Sequence, residues 1–263
     1  MKSHALSSRL ARAADVPSLD LRSRFSQLYE WAQTSEFIFG SPLGPIGGGQ
    51  RAHYLPSFVY FGPQTSEASP RLAVLSGLGR HDLLAARAVT AFVEGLARQP
   101  DIGHALNVSL FPVANVRGLL EGAEERDLSE EHWGRSTAPE IRLLASDAQS
   151  KSYQGYIRIS TTTDDEPSAW LRSVVSPFVA RSGIEVFNSA DFEPWTVRFE
   201  SLPSSVISRG PLSLADDLPF APFEVELALP ADWPQARADR ELSRLLKRLL
   251  TRYRGFLAYG LNL

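Results

Sequence analysis

Cysteine is absent from the 263 residues. That excludes disulfides, thiolate zinc sites and thiol nucleophiles, and it leaves the redox compartment open. Histidine is scarce, with five residues, and none follows His132. The C-terminal half of the chain therefore supplies no imidazole ligand. No window approaches the roughly 20 apolar residues needed to span a bilayer. Met1 to Asp20 contains no continuous apolar core of signal-peptide length, so the expected location is cytoplasmic. No Gly-x-Ser-x-Gly elbow occurs, which counts against a serine hydrolase. Gly47-Gly48-Gly49 is followed by neither Lys-Ser nor a helix start, which discounts phosphate binding. A net charge of −3 gives no strong attraction to nucleic acid or to an anionic membrane.

What is present reads as an ordinary globular chain. Hydrophobic residues make up 43% and charged residues 22%, enough for one sizeable core. The expected organisation is a single domain over 1–263, with 1–50 as an N-terminal helix and loop extension. Leu21 to Phe37 reads as a helix and Ser41 to Gly49, rich in Gly and Pro, as a loop. Phe58 to Phe61 reads as a strand. Leu72 to Leu75 is a short buried strand, and Leu84, Ala88, Val89, Phe92, Val93 and Leu96 recur at helical spacing across Asp82 to Arg98. Ala105 to Phe111 is the next strand, so the span is a βαβ unit with parallel strands and a right-handed crossover. Further expected elements are a helix at Pro139 to Ala148, a strand at Tyr156 to Ser160, a helix at Ser168 to Ala180 and strands at Ile184 to Phe187 and Phe223 to Leu229. The last is a long helix from Asp232 to Tyr253, with Asp232 as N-cap and Pro234 in its first turn.

The turn Ser76-Gly77-Leu78-Gly79-Arg80-His81-Asp82 lies at the carboxyl end of the first parallel strand, where open α/β sheets bind ligands. Four more stretches follow it in order. These are Phe111-Pro112-Val113-Ala114-Asn115-Val116-Arg117-Gly118, Asp127-Leu128-Ser129-Glu130-Glu131-His132-Trp133 with Pro139-Glu140 behind it, Ile157-Arg158-Ile159-Ser160-Thr161, and Phe223-Glu224-Val225-Glu226-Leu227. Together they resemble the landmarks of the zinc carboxypeptidases and their desuccinylase and aspartoacylase relatives, from about Val59 to the C-terminus. The resemblance implies a three-layer α/β/α fold with a mixed, mostly parallel central sheet.

In that family two His and one Glu hold zinc and leave a position for water. The metal lowers the pKa of that water, and a Glu carries its proton during attack on an amide. Carried across, the metal ligands fall on Gly79, Asp82 and Ser160 or Thr161, two positions of which have lost the His. The clamp for the substrate's carboxylate falls on Glu124, Ser129 and Glu130, with anions where the family has cations. Glu226 matches the catalytic Glu and is the general-base equivalent. The resemblance, with these substitutions, implies a noncatalytic protein with no cofactor that binds a small peptide, an acylated amino acid or a protein partner in the old cleft. The alternative is a zinc-dependent hydrolase of carboxypeptidase or deacylase type, with Glu226 as base and non-standard ligands.

Several other groups are weighed beside these. His81 is a shifted-ligand candidate, with His53 or His132 arriving from elsewhere; a cleft or surface position for His81, and a helix N-terminal role for Asp82, is the plainer expectation. Asp164, Asp165 and Glu166 carry the ligand type of a hard cation, against the commoner reading of a solvated acidic loop. Arg237, Arg240, Arg244, Lys247, Arg248 and Arg252 line the outer face of the last helix and read as a solvated face, with a nucleic-acid surface as the alternative.

Overall fold

Eight strands form one mixed sheet in the computed structural model, in the order β1-β4-β6-β5-β7-β10-β8-β9, with β2 and β3 as a separate ribbon. The described residues are 17–47, 52–67, 69–120, 126–131, 133, 135–173, 192–193, 195–201 and 223–260. The strands are β1 Ile38–Gly40, β2 Leu43–Ile46, β3 His53–Leu55, β4 Phe58–Phe61, β5 Arg71–Ser76, β6 Asn107–Phe111, β7 Gly155–Thr162, β8 Ser168–Ser173, β9 Thr196–Ser201 and β10 Phe223–Pro230. The helices are α1 Pro17–Thr34, α2 Leu83–Arg98, α3 Val116–Leu120, α4 Pro139–Lys151 and α5 Gln235–Gly260. The centre of the sheet is parallel, β6 with β5, β5 with β7 and β7 with β10. Antiparallel pairs join it on both sides, β6 with β4 and β10 with β8.

Alternation along the strands divides the two faces. Ile157, Ile159, Val225 and Leu227 are buried on one face. Helix α5 covers that face, with the Tyr253 ring 5.0 Å from Phe223, and α2 packs on α5. Leu242, Leu245, Leu246, Leu249, Leu250 and Tyr253, the expected stripe of α5, are all buried. The opposite face carries Tyr156, Arg158 and Ser160 on β7 and Glu224 and Glu226 on β10. Ser109 shares this face through its register with Ala73 and Tyr156, and α4 lies over it, with Lys151 Nζ donating to Ser109 Oγ at 3.3 Å. Leu21, Phe25 and Leu28 of α1 are buried in the same apolar core as the sheet.

Three expectations are corrected here. Ser168 to Ala180 is not a helix over its described part. Ser168–Ser173 is strand β8, antiparallel to β10, with Ala169 and Leu171 buried and Trp170 outward, a period of two rather than 3.6. Residues 174–180 and the strand expected at Ile184 to Phe187 lie outside the described residues. Ser41 to Gly49 is not wholly loop, because Leu43–Ile46 pairs with β3; the register shifts between Leu43 and Ile46, around Pro45, which has no N–H to give. The last helix starts at Gln235 rather than Asp232. The Pro234 carbonyl accepts from Arg237 and Ala238 at 2.9 and 3.1 Å, so Pro234 precedes the helix and Asp232 lies in the turn before it.

Candidate functional site

The chain leaves β5 for β6 on one side of the sheet and returns to β7 on the other. This reversal falls at the carboxyl ends of β5 and β7, where open α/β sheets have their ligand crevice. Gly77 starts the turn there at φ +68°, and a Cβ would lie 3.1 Å from Val113 Cα, so glycine is required on both counts. Buried Asn115 holds the turn in shape. Its Nδ2 donates to the carbonyls of Leu78 and Arg126 at 3.2 and 2.7 Å, and its Oδ1 accepts from Gly118 N–H at 3.0 Å. Leu128 N–H also donates to Leu78 O at 3.0 Å.

Asp82 immediately precedes α2, yet its carboxylate does not cap that helix. It turns back into the crevice instead, which corrects the expected helix N-terminal role. Oδ2 accepts from Gly79 N–H at 2.7 Å and Oδ1 accepts from Thr161 N–H at 2.8 Å. The residue is 4% exposed. Burial pushes its carboxyl up to about 6, against the pull of the Thr161 and Gly79 N–H groups and the charge of Arg158, with Asp127 adding to the rise. A Cβ on Gly79 would lie 3.0 Å from Oδ2, so the carboxylate takes the room that a side chain at 79 needs.

The other expected ligand positions add little. Ser160 Oγ sits 3.5 Å from Leu227 O, and Thr161 Oγ1 is buried with no hydrogen-bond partner among the described residues. His81 is exposed and accepts from Arg80 Nε at 2.9 Å. His53 sits on β3 in the separate ribbon, and His132 lies outside the described residues. Asp164, Asp165 and Glu166 are exposed in the turn after β7. Among the described residues, no three His, Cys, Asp or Glu side chains converge to hold a metal ion. Zinc needs three or four protein donors, and the family's positions here offer one carboxylate already engaged by N–H groups. The residues do not fit the metal.

Glu226 lies in register with Arg158 on β7 and Trp170 on β8. Its Oε1 is 3.2 Å from Arg172 Nη1 and 3.6 Å from Arg158 Nη1. Arg172 stacks over Trp170 at 4.1 Å and lies 3.8 Å from buried Glu224. Arg158 Nη2 donates to the Ser129 carbonyl at 2.6 Å. A cation from β7 thus stands beside the clamp segment. Of the clamp positions, Ser129 is half-buried and bonds Asp127, Glu130 is exposed, and Glu124 lies outside the described residues. Arg126 pairs with fully buried Glu140. Beneath this network Tyr156 packs edge-on against Trp133 at 5.7 Å, and its hydroxyl has no hydrogen-bond partner among the described residues. Burial holds that phenol well above its ordinary value.

No protein-family model matches the chain, and no curated protein matches it in sequence. Solved structures match over most of its length. A metallo-carboxypeptidase from Burkholderia cenocepacia superposes with a TM-score of 0.66 at 14% identity, over 89% of this chain and 69% of that one. The fold is that of the metallo-carboxypeptidases. A metallo-carboxypeptidase from Pseudomonas aeruginosa, in complex with (2-guanidinoethylmercapto)succinic acid, gives a TM-score of 0.59 at 15% identity over 88% and 68% of the two chains. Bovine thrombin-activatable fibrinolysis inhibitor gives 0.57 at 12% identity over 89% and 97%. The metallo-carboxypeptidase fold accounts for the mixed sheet of eight strands.

Tyr156, Arg158, Trp170 and Arg172 line this face of the sheet, and no local motif in the sequence marks any of them. Only a strand reading of 168–173 puts Trp170 and Arg172 on one face. On α5, Arg237 stacks on Trp233 at 4.2 Å, Arg240 and Arg244 pair with Glu241, and Lys247 donates to Gln99. These cations are engaged within the chain. No helix among the described residues is long and apolar enough to cross a membrane.

Proposed function

We propose that this chain is a carboxypeptidase-like protein without the family's zinc site or carboxylate clamp, and that it binds a ligand noncatalytically in the old cleft. One observation carries the reading. The Asp82 carboxylate spans the crevice with both oxygens engaged by the N–H groups of Gly79 and Thr161. N–H groups converge where a metal site needs lone pairs. Trp170, 38% exposed under the Arg172 guanidinium, and the part-exposed Glu226 beside it offer a surface for a small peptide, an acylated amino acid or a protein partner. Elemental analysis of protein dialysed against zinc tests the reading. The expected result is no stoichiometric zinc above that bound by Asp82→Ala. One zinc per chain, lost in that variant, overturns it.

The second reading is a metal-dependent hydrolase with Glu226 as general base. The observation in its favour is that Glu226 stays part-exposed on the cleft face of β10. Against it, Oε1 lies between two guanidinium groups. Amidase activity that disappears in Glu226→Gln supports the hydrolase; activity unchanged by that substitution removes it.

A further inference from the structure

The Asp82 site is a coordination centre with its polarity reversed. In a metal site, lone pairs from separate segments converge on a cation and tie those segments together. Here N–H groups from two segments converge on an anion. The segments are the turn after β5, through Gly79, and the end of β7, through Thr161, 79 residues on from Asp82. The anion is 4% exposed, so its bonds are shielded from competing water. The charge of Arg158 acts favourably on it.

We propose that the Asp82 carboxylate is the cross-link that holds this cleft together, and that Gly79 is glycine to make room for it. The bond from Gly79 N–H draws Oδ2 close to the space a side chain at 79 would take. The three heavy atoms nearest a Cβ on Gly79 all belong to the Asp82 carboxylate, at 3.0, 3.2 and 3.4 Å. A side chain at 79 and the carboxylate of Asp82 therefore compete for one space. Substituting His at 79 displaces the cross-link without completing a site, because no second imidazole comes from β7. Asp82 stands at the N-cap position of α2, where Asp commonly bonds the helix's first N–H groups, yet its carboxylate leaves them alone. One of its bonds shapes the turn, through Gly79, and the other ties that turn to the end of β7, through Thr161.

Hydrogen exchange by NMR on the full chain tests the cross-link. In Asp82→Asn an amide NH₂ replaces one acceptor oxygen and faces an N–H donor. The Gly79 and Thr161 amides are expected to exchange at least tenfold faster, with the Val74 and Leu110 amides of the central strands little changed. Unchanged rates at Gly79 and Thr161 overturn the proposal. A double-mutant cycle by urea denaturation tests the steric half. Gly79→Ala is expected to lower the midpoint in the native background and to leave it nearly unchanged in an Asp82→Ala background. Additive losses overturn the proposal. If the variants do not fold, the unaltered protein still answers. Its Gly79 and Thr161 amides are expected to share one opening free energy in native-state hydrogen exchange, and clearly different protection of the two overturns the proposal. None of these readouts uses zinc. A chain that binds zinc but shows the coupling refutes the proposed function alone, and one that binds none and shows no coupling refutes the cross-link alone.

Discussion

Arg172 Nη1 stands 3.2 Å from Glu226 Oε1, and the same guanidinium lies over the Trp170 ring. The pairing crosses from β8 to β10, strands joined antiparallel with Glu226 opposite Trp170 and Glu224 opposite Arg172. One cation therefore serves two carboxylates and an indole, and Glu224 is almost fully buried. Replacing Arg172 by Ala removes the pairing while leaving Glu224 in place. The expected loss is about 1–3 kcal/mol, below the roughly 3–5 kcal/mol of a fully buried broken pair because Glu226 is part-exposed. Urea denaturation of Arg172→Ala checks it, with Arg172→Lys recovering only part of the loss because the planar stack on Trp170 is gone.

Asn115→Ala is expected to cost about 2–4 kcal/mol. The amide satisfies the carbonyls of Leu78 and Arg126 and the N–H of Gly118, and its loss leaves those groups without it in a buried place. The turn after β5 and the segment from 126 both hang on this side chain. Equilibrium unfolding of the variant measures the cost. A change below about 0.5 kcal/mol is the magnitude of an ordinary surface substitution and contradicts the role.

Stability carries a signature of Asp82 with pH. Its folded value is raised from 3.8 to about 6, mainly by burial, so the folded chain holds the proton more tightly than the unfolded one. For a raised group the contribution is complete below the unfolded value and is lost as pH rises through the folded value. The native chain, compared with Asp82→Asn, is therefore expected to lose relative stability between about pH 4 and pH 7. The size is about 2–3 kcal/mol, from roughly 1.4 kcal/mol per unit. Denaturation midpoints of the two proteins at a series of pH values check it. A parallel course for both contradicts the assignment.

The turn after β5 shows how far the sequence reaches and where it stops. Gly79 in the turn after β5, and the lack of any His after His132, are visible in the residues alone. So are the strand before the turn and the amphipathic helix after it, because the periods of strand and helix are local properties. The strand β8 was hidden for a related reason. Its six residues admit either reading, and only pairing with β10 makes them extended.

By itself, the sequence determined that no His follows His132, that the core elements alternate between strand and helix, and that the Gly77 turn follows a buried strand. The tertiary structure alone decided what meets at that turn. Asp82 meets Thr161, and Arg158 meets Ser129, Glu226 and the charge of Asp82, only because β7 lies between β5 and β10 in the sheet. Sheet order and register set those meetings, and both depend on pairings between distant segments that no local pattern encodes.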